Sequence, residues 1–158
     1  MKKLLLIFIL FSLIGCGKKE TVKNTVIISE QEKIINLDIN DIYAWVDFMP
    51  GGKNMGLLRL SGDFIIKNSP SYDYTKIALN KIIIMQDTVE FYIVKPLSKE
   101  NPIYNKKNKK NILFSMLEGL EIEEGFSIEK SINIKIVFEQ DKQKYVYPIK
   151  NIKIEKTY

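Results

Sequence analysis

The side chains in this 158-residue chain that could do chemistry are few. There is no His, and the one Cys is Cys16. Those two facts exclude a Cys/His zinc site, a Ser–His–Asp or Cys–His nucleophile and an internal disulfide. No glycine-rich phosphate cradle is present either, so no cofactor is expected. What remains is carboxylate, hydroxyl, amine and aromatic chemistry. Glu118, Glu121, Glu123 and Glu124 supply carboxylates, but nothing in their spacing sets two of them across a cleft. A charged strand edge accounts for them better. Asp38-Ile39-Asn40-Asp41 puts oxygen ligands on an expected loop without the Gly and later Glu of a calcium loop, so no metal is expected. The run from Asn105 to Asn111 holds Lys106, Lys107, Lys109 and Lys110 with no acid between them. It reads as a solvated loop, with anionic lipid, glycan phosphate or nucleic acid as the alternative.

The elements that must position such residues read as strands. From Thr25 onward, β-branched and aromatic residues alternate with polar ones in short runs divided by turn formers. Strands are expected at 26–29, 42–49, 57–67, 76–85, 89–95, 112–117, 132–139 and 144–154. Pro50-Gly51-Gly52, Asn68-Ser69-Pro70-Ser71, Gln86-Asp87-Thr88 and Asp141-Lys142-Gln143 supply the turns. No stretch carries a sustained helical stripe. Seven to eight strands over residues 25–158 predict an all-β, single antiparallel sandwich.

One hairpin gathers a candidate binding face. If 42–49 and 57–67 pair around Lys53, then Phe48, Val46 and Ala44 oppose Leu58, Leu60 and Gly62 on one buried side. The other side then sets Asp47 opposite Arg59, Trp45 opposite Ser61 and Tyr43 opposite Asp63. Tyr43, Trp45, Asp47, Arg59 and Asp63 thus share an outer face. An aromatic pair beside charges suits carbohydrate stacking or a protein contact. The same residues also read as a cross-strand ion pair, with Trp45 capped by a neighbouring segment.

Charge and the N-terminus say where such a body works. Lys and Arg number 24 against 19 acids, a formal +5, but Arg59 is the only arginine and the bases are spread among acids. No nucleic-acid partner is expected from that pattern. Lys2 and Lys3 precede an apolar run from Leu4 to Ile14, broken only by Ser12. This has the form of a secretory signal, too short to span a membrane as a helix. It ends in Leu13-Ile14-Gly15-Cys16, which resembles the lipobox of bacterial lipoproteins. That likeness implies cleavage after residue 15, acylation of Cys16 and a short tether over 16–24. Loss of Lys2 and Lys3 leaves 22 basic residues against 19 acids, a formal +3. Gly17 stands where inner-membrane retention is associated with Asp, so in a two-membrane cell the outer membrane is expected.

The body has a likeness of its own. Tyr43-Ala44-Trp45-Val46-Asp47-Phe48-Met49-Pro50-Gly51, Leu60-Ser61-Gly62-Asp63-Phe64 and Glu123-Glu124-Gly125-Phe126 resemble uncharacterised bacterial lipoproteins with an immunoglobulin-like sandwich. The resemblance implies a fold and a location, and no reaction. The expectation is therefore a lipid-anchored, non-enzymatic envelope module that recognises a protein or a surface glycan. A carboxylate-dependent hydrolase and an accessory or inhibitory subunit are its rivals.

Overall fold

The structure, a computed structural model, describes residues 32–48, 56–102 and 108–158. Cys16, the signal and tether, the expected strand at 26–29, the turn at 49–54, and Lys106 and Lys107 lie outside them. Among the described residues eleven strands run in order: β1 Lys33–Ile34, β2 Leu37–Asp47, β3 Leu57–Lys67, β4 Ala78–Gln86, β5 Val89–Val94, β6 Leu97–Glu100, β7 Lys109–Ser115, β8 Leu120–Glu121, β9 Ile132–Gln140, β10 Gln143–Ile152 and β11 Ile154–Thr157. There is no helix among the described residues.

The strands form two sheets, an all-β sandwich. The first sheet is ordered β1-β10-β9-β4-β5; the second is β11-β2-β3-β7-β6, with β8 also on β3. Alternation builds both. On β3, Leu58, Leu60, Phe64 and Ile66 are fully buried, while Leu57, Arg59, Ser61, Asp63, Ile65 and Lys67 keep partial access to solvent. Ile132, Ile134, Ile136 and Phe138 do the same from β9 in the facing sheet. Phe64 meets Phe138 edge-on at 5.4 Å across the core. Gly62 has a packing reason: a Cβ there would lie 2.5 Å from both Ile42 and Phe114.

Three expectations are corrected. The sandwich is mixed, not wholly antiparallel, because β1 lies parallel to β10 and β11 parallel to β2. The described residues alone hold eleven strands against the seven or eight expected, since β1, β6 and β8 are too short or too polar for alternation to mark. Part of that count is the run 144–154, which is two strands parted at Lys153; Asn151, at a left-handed φ of 59° where Asn is tolerated, sits at the irregularity of the β9–β10 pairing. Its N–H donates to Asn133 Oδ1 at 3.0 Å.

The third correction is the register of the β2–β3 hairpin. Val46 opposes Leu58, Ala44 opposes Leu60 and Ile42 opposes Gly62, two residues away from the expected pairing. A two-residue shift preserves the face of every side chain, which a one-residue slip would invert. The faces therefore stand, and the partners change. Elsewhere the hairpin turns fall as read. Asp87 has φ 53°, and Asp141 and Lys142 have φ 51° and 66°, the left-handed pair that matches the twist of flanking strands.

Candidate functional site

The outer face of the second sheet carries the five residues named from sequence. On β2 they alternate with the core residues Ala44 and Val46, so Tyr43, Trp45 and Asp47 point away from it. Register now sets Trp45 opposite Arg59 and Tyr43 opposite Ser61. Asp47 opposes Leu57 and reaches Arg59 diagonally, with 3.9 Å between Oδ2 and Nε. That is a loose ion pair at a partly exposed position, worth at most about 1 kcal/mol. Trp45 is half-buried, and Tyr43 is 52% exposed.

Asp63 finds a partner that sequence did not propose. Asp41 lies directly opposite it, so two carboxylates share one row. Like charges so placed repel. The surrounding groups answer this with donors. Asn40 Nδ2 donates to Asp63 Oδ2 at 3.1 Å and Asn111 Nδ2 to Asp63 Oδ1 at 2.5 Å. The Tyr43 hydroxyl hydrogen-bonds Asp41; that bond, then the Asp41 charge, raises the Tyr43 pKa above its ordinary 10.0. Asp38 and Asp41 are on strand β2, not on a loop, and Asp38 pairs with Lys67. Among the described residues no three of His, Cys, Asp or Glu gather as a metal site.

A trough of about 600 Å³ opens on this face. Its form follows from two rows of side chains. The first row crosses four strands as Tyr43, Ser61, Ser115 and Leu97. Large groups stand at its ends and serines between them, which makes walls and a floor. Leu97, the wall opposite Tyr43, is 53% exposed. The second row runs Asp41, Asp63, Leu113 and Lys99 and closes one end with charge. The floor accepts or donates hydrogen bonds, one wall is an aromatic ring, and the charged end supplies two acceptors and an ammonium.

Alternation could place Tyr43, Ser61 and Asp63 on the face, but not the rest of the trough. From sequence, Asp41 reads with Asp38 as one loop cluster because the two are close in the chain. Leu97 and Lys99 lie on β6, four exposed residues without a buried partner face to mark them as a strand. The expected basic loop also divides. Lys109 is half-buried on β7, whereas Lys110 turns inward and is 9% exposed. Its Nζ lies 2.7 Å from Glu100 Oε1 and donates to the carbonyls of Thr75 and Ile77, each at 3.4 Å. Lys110 is a strut, not a surface for anions.

Tyr92 fixes the segment that carries the acidic cluster. Its hydroxyl donates to Glu121 C=O at 3.0 Å and accepts from Glu123 N–H at 2.9 Å. Phe126 is buried against the Tyr92 and Phe91 rings, after a turn in which Gly125 takes φ 86°. Gly there avoids the Cβ strain of a left-handed residue. Set beside protein-family models, curated proteins and solved structures, the chain matches none of them.

Proposed function

We propose that the chain is a lipid-anchored module of the bacterial cell envelope that binds a surface glycan in the trough, and that its sandwich is of immunoglobulin-like kinship. The carrying observation is the row of Tyr43, Ser61, Ser115 and Leu97 beside the Asp41–Asp63 pair. Sugar rings present apolar C–H faces and dense hydroxyls. An exposed aromatic ring with flanking acceptors complements both. The lipobox-like Leu13-Ile14-Gly15-Cys16 supports the anchor.

A test uses cell-wall polysaccharide fragments captured on immobilised protein. Tyr43→Ala and Asp63→Asn should each weaken capture about tenfold, the usual weight of one good contact. Undiminished capture by both variants would refute the site. The hydrolase reading has one observation in its favour, the directly opposed Asp41 and Asp63. However, Asp63 accepts amide hydrogens on both oxygens, which suits a fixed acceptor more than a proton donor. Release of new reducing ends from the fragments, abolished by Asp41→Asn, would establish the hydrolase in place of the binder.

A further inference from the structure

The two outer faces of the sandwich differ in charge. On the first sheet, Ile82, Ile84, Ile134, Ile136 and Tyr145 face the core, so the residues between them face outward. The outward set includes Lys81, Lys135, Lys144 and Lys150, with exposed Lys95 just past β5, against Glu90, Glu139 and Glu32, which pairs with Lys135. That is a surplus of two positive charges. On the second sheet Asp38, Asp41, Asp47, Asp63, Glu121 and Glu155 face outward with only Arg59, Lys67, Lys99 and Lys109. The sign is reversed.

The positive face also carries apolar side chains. Ile83, Val137 and Val146 form a second hydrophobic cluster on it, apart from the main core. Ile34 and Ile93 extend that cluster by register and are 69% and 62% exposed. Glu32, just before β1, lies on the same face and reaches Lys135 on β9 at 3.6 Å.

We infer that the outer face of the first sheet rests on an anionic phospholipid bilayer, with Ile34 and Ile93 at the headgroup level and the lysines around them. Charge complementarity selects the occupant. A neutral protein partner gains nothing from the lysines, whereas an anionic leaflet attracts each one within a screening length. Two exposed isoleucines add apolar contact too small to hold alone, as interfacial binding combines both terms. The trough, on the opposite face, then looks away from the membrane. This rests on the envelope reading only for what brings the body to a membrane; the affinity of the face is separate.

The test uses a chain starting at position 16 with Cys16→Ser, which keeps every described residue and has no acyl anchor. It is sedimented with vesicles of phosphatidylcholine, alone or with about 30 mol% phosphatidylglycerol. Binding should be about tenfold stronger to the anionic vesicles and fall to the neutral level in about 0.5 M salt. Lys81→Glu/Lys95→Glu/Lys150→Glu should abolish that gain, while Lys99→Glu/Lys109→Glu, on the other face, should keep it. Circular dichroism checks that each variant is folded. If the triple variant is not, the exposed single variants Lys95→Glu and Lys150→Glu carry the test with a loss of about two- to threefold each. Equal binding to both vesicles, or equal loss from the two sets of variants, would overturn the inference. Neither result touches the acylation of Cys16, which fatty-acid labelling reads by itself.

Discussion

Tyr43 is the residue where geometry and titration can be read together. Its hydroxyl holds its proton above the ordinary 10.0, chiefly through the hydrogen bond to Asp41 and the charge of that carboxylate. Asp41→Asn should bring the value back toward 10.0, followed in ring-labelled protein by NMR. An unchanged titration would mean that Asp41 does not hold the hydroxyl. Trp45 and Leu60 make the complementary pair for stability. Leu60 is fully buried, so Leu60→Ala should cost about 2–5 kcal/mol in urea unfolding. Half-buried Trp45 should lose well under the roughly 3–5 kcal/mol of a buried aromatic when cut to Ala. Its emission should be red-shifted and quenched by acrylamide. A blue-shifted, unquenched Trp45 would place that side chain in the core and remove it from the face.

Strands were legible where one side is buried and the other wet. β3 runs over 57–67 as the alternation of leucines with polar residues requires. The same alternation left the β2–β3 register open, because a period of two cannot separate pairings that differ by two residues. Only the length of the connecting turn separates them. β6 stayed hidden because all four of its residues are exposed, and it carries half the trough wall. The connections hold the elements by side chains that no local pattern reveals. Buried Gln86 exchanges two hydrogen bonds with Ser127, donating to its C=O at 2.6 Å and accepting from its N–H at 2.8 Å. Gln86→Leu keeps the volume but orphans both groups, so a loss of about 1–3 kcal/mol in urea unfolding is expected. Tyr72 and Tyr92 have hydroxyl pKa values raised from 10.0, first by burial and secondarily by nearby charge or tyrosine, against the lowering hydrogen bonds of Asn36 and Glu123. Folding thus favours the protonated hydroxyls. Their stabilising share is whole below about pH 10 and is lost as pH rises through the raised folded values. Tyr92→Phe should lower stability at neutral pH by about 1–3 kcal/mol yet shrink its alkaline decline. An unaltered slope of urea midpoint against pH above 10 would contradict this.

At the scale of the whole molecule, the all-β class was legible in the period-two runs of strand formers and the lack of a helical stripe, while the single cysteine in a lipobox-like run carries the proposal of an anchor. Fatty-acid labelling should tag the wild-type chain and not Cys16→Ser; equal labelling would end the lipoprotein reading. Mixed pairing was not legible, because parallel edges join segments that share no turn. That pairing has a consequence in time. β11 lies on β2 with Ile154 beside Ala44 and Thr157 beside Asp47, and Thr157 Oγ1 donates to Val46 C=O across 111 positions. Closing so long a loop adds little to the entropy cost, which grows only with the logarithm of its length. It weighs far more on rate, since contacts distant in sequence are the slow ones to form. While a chain is being made or threaded, β2 has its edge open until Ile154 emerges. The strand that carries Tyr43 and Trp45 is therefore finished last, and refolding followed at Trp45 should show its slow phase only in chains that include β11.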